Sequence, residues 1–154
     1  MGARMGLDYS LSVSTDLTPA AALKLLAEQG PLPWEDATHL GAPGWTVGVS
    51  IPGARSRALW HEAFHFHPDL SVGFRYASNH DFSAFTRLLL RAALILKPHC
   101  REGVLLFNGE HIVLRWSGDP LVFNQDCWPW DDDAWLQAEV GRPVERRSLP
   151  SPLL

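Results

Sequence analysis

Three histidines and a glutamate lie close together in the segment WHEAFHFHPD, residues 60–69. Within it, His61, Glu62 and His65 match the H-E-x-x-H pattern of zinc proteases. In those enzymes two histidines on one helix face bind Zn²⁺, the glutamate acts as general base, and a further protein ligand completes the site. The pattern therefore raises zinc-dependent hydrolysis as a hypothesis for this chain.

The residues around the motif do not supply the rest of a zinc-protease site. Pro68 would end any helix soon after His65. Where the extended metzincin pattern has a glycine and then a distal histidine, this chain has Pro68 and Ser71. His67 or His80 remain as further ligands, but no spacing requires either of them. Since the segment alternates equally well as a strand, adventitious metal binding and a plain polar surface stay open as alternatives.

Other catalytic patterns are absent from the sequence. It contains no G-x-S-x-G elbow, no P-loop and no G-x-G-x-x-G fingerprint. Cys100 and Cys127 are far apart and form no C-x-x-C pair, which favours a reducing cytoplasm over a disulfide framework. We therefore expect no catalytic residues, no cofactor and no resident metal.

Composition limits the classes of partner. The 154 residues fit one domain, and the formal net charge of −4 gives no reason to expect nucleic acid. The most apolar run, residues 88–96, includes Arg91 and is too short to span a bilayer. No apolar signal segment stands at the N-terminus, where Met1 and Met5 are alternative start residues. A soluble, cytoplasmic protein without a membrane or nucleic-acid partner is predicted.

Two patterned helices and several alternating strands make up the predicted framework. Thr18 predicts the N-cap of a helix over residues 18–29. Apolar residues repeat at helical spacing over residues 79–98, with Asp81 or Asn79 as the cap. Strands are predicted at 7–13, 45–51, 70–76 and 121–123, a glycine- and proline-rich loop at 30–44, and residues 54–66 are compatible with helix or strand.

The clearest structural signal is the hairpin GVLLF-NG-EHIVLRW. Asn108 and Gly109 are the preferred pair for a two-residue type I′ turn, because both positions need a positive φ. The turn predicts that Phe107 lies opposite Glu110. By the same register, Leu105 lies opposite Ile112 and Gly103 opposite Leu114, so that Leu105, Phe107, Ile112, Leu114 and Trp116 share one face.

These elements predict an α+β fold. Strands and helices do not alternate as βαβ units, so we expect one antiparallel sheet with a C-terminal three-stranded meander and two main helices packed on one face. The predicted domain spans residues 5–140. Residues 1–4 and 141–154 are predicted to be flexible ends, because the latter segment is rich in proline.

Three segments of the chain are similar to one protein family. MGLDYSLSVSTDLTPAAALKLLAEQ, FHPDLSVGFRY and EGVLLFNGEHIVLRWSGDPLVFN resemble, in this order, the SitI-type bacterial immunity proteins that accompany polymorphic toxins. The similarity covers most of residues 5–124 and departs from the family at 30–66 and after Asn124. The resemblance implies no catalytic residues; it implies that the chain binds a cognate protein toxin in the producing cell's cytoplasm and blocks it by occlusion.

Two surface segments are candidates for binding such a toxin, because tryptophan dominates interface hot spots and acidic groups steer basic partners. Alternatively, the tryptophans of the first segment simply pack a terminal helix onto the sheet, with acids at its N-terminus. Reversing the charges at 131–133 is expected to weaken toxin binding without unfolding the chain. The first candidate is Trp128, Trp130, Asp131, Asp132, Asp133 and Trp135, and the second is Trp34, Glu35 and Asp36.

Two other functions stay open at this point. A zinc-dependent hydrolase would use His61, Glu62 and His65. A small-ligand-binding α+β domain is the other, since folds of this class host many functions.

Overall fold

A computed structural model describes residues 7–77 and 81–153 of the chain. The alternative start residues Met1 and Met5, the alternative helix cap Asn79 and the alternative metal ligand His80 lie outside the described residues.

In the described part of the chain, eight strands form one sheet in the order β2-β3-β4-β1-β5-β6-β7-β8. All neighbouring pairs are antiparallel except β7 and β8, which run parallel. The predicted antiparallel sheet and its meander, β5-β6-β7, are thereby confirmed. The strands are β1 Leu7–Thr15, β2 His39–Ala42, β3 Trp45–Ser50, β4 Leu70–Tyr76, β5 Cys100–Phe107, β6 His111–Ser117, β7 Leu121–Asn124 and β8 Glu145–Arg147.

Four α-helices accompany the sheet within the described residues: α1 Pro19–Gln29, α2 Ala54–Phe64, α3 Phe82–Leu96 and α4 Asp133–Val140. The hydroxyl of Thr18 accepts a hydrogen bond from the amide of Ala21 at 3.1 Å, which confirms the predicted cap of α1. Asp81 caps α3 by accepting from the amide of Ala84 at 3.2 Å.

The front face of the sheet, defined here as the face that carries Tyr9, Leu11 and Val13, holds the main hydrophobic core. α1 and α3 pack on this face, as predicted. α3 fits because its apolar residues recur every three or four positions and so form one broad stripe. The buried apolar residues that the two helices contribute are Ala22, Leu23, Leu26, Phe85, Leu89, Leu90, Ala92, Ala93 and Leu96.

α2 packs on the opposite face, called the back face below. Its last residue, Phe64, forms a second buried cluster with Phe66, Val104, Leu106 and Ile112. Alternate residues of a strand point to opposite faces, so Val104 and Leu106 point away from the front core. Residues 54–66, which the sequence left compatible with helix or strand, therefore contain a helix, α2. The sheet carries apolar clusters on both faces.

Two neighbouring rows on the back face of β3, β4 and β1 carry small side chains. Gly48, Gly73 and Ser10 lie in register across the three strands, and Ser50, Ser71 and Ser12 form the next row. A Cβ placed on Gly73 would meet nothing nearer than the carbonyl oxygen of Gly48, at 4.0 Å. The backbone there leaves room for a larger side chain.

The prediction of a loop over residues 30–44 is wrong in part, because this segment contains β2. Its glycines and prolines serve a hairpin: the turn between β2 and β3 holds Pro43 and Gly44, and Gly44 has a φ of 100°. The sequence therefore showed the turn, and the short strand before it was missed.

The predicted register of the β5–β6 hairpin is also wrong. Asn108 and Gly109 do have positive φ values, 51° and 71°. However, Phe107 pairs with His111, and β6 contains a bulge that makes Val113 an extra residue. One extra residue reverses the side-chain alternation beyond it, so Ile112 lies on the back face instead of the predicted front face.

The side chain of Asn124 holds the C-terminal segment against the sheet. Its amide nitrogen donates to the carbonyl oxygens of Ile112 at 2.7 Å and Leu149 at 3.1 Å. Its oxygen accepts from the amides of Asp126 at 2.9 Å and Leu149 at 3.1 Å. Residues 145–147 pair with β7 as β8, a strand that the sequence did not predict.

We expect Asn124→Ala to lower the free energy of unfolding by about 2–3 kcal/mol, because it leaves buried backbone groups without partners. Urea denaturation followed by circular dichroism measures the change. Gln125→Ala, at the neighbouring exposed position, is the matched control and should shift stability by less than about 0.5 kcal/mol. Equal unfolding midpoints for the two variants would contradict this role for Asn124.

Candidate functional site

The H-E-x-x-H residues do not share a helix face in the structure. α2 ends at Phe64, and His65 follows it in the left-handed conformation with a φ of 66°. His61, Glu62 and His65 are all exposed. The second histidine is therefore displaced from the helical geometry that the zinc-protease motif requires.

A different histidine neighbours His61. The rings of His61 and His67 stack with centroids 4.3 Å apart and an interplanar angle of 3°. Across residues 7–77 and 81–153, no three His, Cys, Asp or Glu side chains group in a way that could hold a metal ion.

The two thiols sit in packing positions. Burial raises the pKa of Cys100 and of Cys127 above the ordinary thiol value, which lowers the thiolate fraction at neutral pH. Burial, followed by the nearby Cys127, raises the pKa of Tyr9 to about 12. These groups are therefore poorly suited to nucleophilic or acid–base chemistry near neutral pH.

In the first candidate segment, Trp130 is a core residue. Its side chain is 3% exposed, and its indole nitrogen donates to the carbonyl oxygen of Thr86 at 2.8 Å. It packs edge-on against Phe123 and Trp128. Trp130 thus fixes the segment before α4 onto α3 and the sheet.

The other two tryptophans of this segment are half-buried beneath arginines of the chain itself. The guanidinium of Arg146 lies 3.8 Å from the ring centroid of Trp128. Arg87 and Arg91 of α3 lie 4.7 Å and 5.7 Å from the ring centroid of Trp135. These cation–π contacts join α4 and β8 to the rest of the fold.

Two of the three consecutive aspartates also make internal contacts. Asp132 caps α4 by accepting from the amide of Trp135 at 3.0 Å and lies 3.4 Å from Arg87. Asp133 forms an ion pair with Arg146 at 2.7 Å. Asp131 is exposed and makes no such contact with the described residues. Charge reversal at all three positions would therefore also disturb the docking of α4.

The second candidate segment lies along the edge of the sheet, beside β2. Trp34 is 51% exposed and forms a single β-bridge with Leu40 of the edge strand β2. The amide of Glu35 donates to the carbonyl oxygen of His39 at 2.9 Å, which holds the segment along β2.

Asp36, the next residue, is stabilised as a charged carboxylate by its neighbours. Asp36 accepts hydrogen bonds from the amide of Thr38 at 2.8 Å and from its hydroxyl at 3.1 Å. Its carboxylate lies 3.2 Å from the ring nitrogen Nδ1 of His39. The amide hydrogen bond from Thr38, followed by the contact with His39, lowers the pKa of Asp36.

Beside this segment lies an open groove of about 590 Å³, called the hairpin groove. Glu35, Trp45 and Arg75 line it, at the end where β2 turns into β3. Gly41 pairs with Thr46, and Thr46 pairs with Arg75, so these three positions form one row on the back face.

The position of Glu35 depends on the absence of a side chain at Gly41. A Cβ at Gly41 would lie 3.2 Å from Oε2 of Glu35 and 3.1 Å from the carbonyl oxygen of Trp45. The glycine therefore lets the carboxylate rest against the strand. Sequence reasoning named Glu35 but missed Gly41, Trp45, Thr46 and Arg75, because their proximity arises from strand register and leaves no local pattern.

None of the helices in the described residues is long and apolar enough to cross a membrane.

The comparison with protein families gives one result that bears on function. A family model described as SitI3-like matches residues 7–134, a range that contains β1 to β7 and α1 to α3. Neither the curated proteins nor the solved structures gave a match. The match confirms the resemblance to SitI-type immunity proteins that the sequence segments indicated. Because it covers well over half of the residues, this chain belongs to the SitI3-like family.

Proposed function

We propose that this protein is an immunity protein that binds a cognate toxin and neutralises it by occlusion, without catalysing a reaction itself. The observation that carries the proposal is membership of the SitI3-like family over residues 7–134. An immunity role follows from the family in general terms, and the toxin and the mode of neutralisation are the proposed part.

The scaffold supports a binding role. Its front core contains side chains that are completely buried, such as Leu11, Leu26 and Leu90, so the sheet can present surface groups in fixed positions. A preformed surface loses little conformational freedom when a partner binds, and more of the contact energy then appears as affinity.

The residue types that suggested chemistry support the non-enzymatic part of the proposal. His61, Glu62 and His65 do not converge on one point, because α2 ends before His65. Cys100 and Cys127 have raised pKa values through burial, which disfavours the reactive thiolate.

Occlusion requires a large contact and a complementary charge. A stable protein–protein interface buries about 800 Å² on each partner, which is on the order of one tenth of this chain's accessible surface of 8209 Å². The net charge of −4 favours a basic toxin, because opposite charge speeds association and disfavours wrong partners. The proposed location is the cytoplasm of the toxin-producing cell, where both thiols would remain free.

Co-expression with the toxin gene expected beside its own gene should restore growth of cells that the toxin alone kills. The physical reason is mass action: a tight complex removes free toxin. Growth curves and recovery of a complex by size-exclusion chromatography measure the effect. Continued killing at a confirmed excess of folded immunity protein would contradict the proposed function.

Glu62→Gln and His61→Ala should protect as well as the unaltered chain, because both side chains are exposed and neither takes part in the core. Growth rescue and elemental analysis of chelator-free protein provide the measurements. Loss of protection in Glu62→Gln, together with one zinc per chain that disappears in His61→Ala, would instead support the zinc-hydrolase hypothesis.

A further inference from the structure

We infer that the toxin docks at the hairpin groove, and that the toxin element which enters the groove is a basic side chain, lysine or arginine. The inference rests on the proposed function and specifies its site. It starts from the carboxylate of Glu35, which lines the groove and makes no ion pair or side-chain hydrogen bond with the described residues.

The charges around the groove favour a cation. Arg75, at the far end of the row, has its own counter-ion, since its Nε lies 3.4 Å from the carboxylate of Asp8. Asp36, next to Glu35, is stabilised as a carboxylate by Thr38 and His39. Of the two charged side chains that line the groove, Arg75 is therefore paired with Asp8, and Glu35 leaves one negative charge without a partner among the described residues.

The shape of the groove suits a long side chain with a charged end. Ala42, Pro43 and Ala77 give the groove an apolar wall, and Gly41 and Thr46 add little bulk to its floor. Lysine and arginine place an aliphatic stem along such a wall while the charged head reaches a carboxylate. Trp34, 51% exposed beside the groove, offers further aromatic surface to the partner.

The segment from Trp128 to Trp135 is less suited to this role. Trp130 is buried, and Asp132 and Asp133 already contact Arg87 and Arg146 within the chain. A toxin that used these groups would have to replace existing contacts. Asp131 is the one acid of this run that is as exposed and unpaired as Glu35, and a comparison of these two positions therefore distinguishes the two surfaces.

The test measures binding of the purified toxin domain by isothermal titration calorimetry. Glu35→Lys should raise the Kd by about tenfold or more, and Glu35→Gln should raise it less, because it removes the charge without reversing it. Thr46→Tyr, which fills the groove with a residue that strands favour, should also weaken binding without a change of charge. Circular dichroism melts show whether each variant remains folded.

Asp131→Lys is the matched control. Asp131 is likewise exposed and unpaired, so the substitution changes the net charge equally at the alternative surface. We expect it to leave the Kd within about twofold of the unaltered value at physiological salt, since salt screens an exposed charge that lies outside the contact.

The outcomes separate this inference from the proposed function. If the unaltered chain binds no toxin, both fail. If the unaltered chain binds the toxin and both Glu35→Lys and Thr46→Tyr bind it as tightly as the unaltered chain does, the hairpin groove is not the docking site. The immunity role then still stands. If Asp131→Lys loses binding and Glu35→Lys keeps it, the toxin docks at the segment from Trp128 to Trp135 and the inference is overturned.

Discussion

The structure depends on the burial of one apolar helix face against the centre of one sheet. β1 lies between β4 and β5, and Leu11 at its middle is completely buried beneath the helices. Burying each large aliphatic side chain contributes about 1.5–3 kcal/mol relative to exposure. α3 supplies more buried residues than any other helix in the described chain, so the packing of α3 over β1 positions the strands on both sides.

The elements governed by local rules were predictable from sequence. Thr18 and Asp81 each cap a helix with a side-chain oxygen, an interaction that spans three residues and leaves a clear local pattern. Asn108 and Gly109 adopt the positive φ values that their residue types favour. The apolar repeat of α3 identified the helix and the face that it buries.

The elements governed by tertiary contacts were not predictable in the same way. The bulge at Val113 changes the register by one residue, although Ile112, Leu114 and Trp116 also fit an unbroken alternation. β8 has three residues and is held by its pairing with β7, while the side chain of Asn124 holds the following Leu149. α2 carries one fully buried side chain, Phe64, and so lacks the apolar stripe by which helices are recognised.

The candidate binding surfaces likewise depend on tertiary contacts that the local sequence does not reveal. The tryptophans near Asp132 suggested exposed anchors for a partner. The local sequence does not show that Trp130 is buried, because its hydrogen-bond partner, Thr86, lies on α3. The groove beside Glu35 is built from one row of residues on three strands, and a row of this kind exists only once the register is set.

Because of the small residues on the back face, core packing and partner recognition can depend on different positions of the sequence. Gly73 stands on a strand whose opposite face forms the core, yet on its own side an added Cβ would meet nothing nearer than 4.0 Å. Substitutions there leave the packing under α3 intact. Relatives that share this scaffold can therefore diverge in what they recognise along these strands while they keep the same folding energetics, and partner choice can evolve faster than the fold.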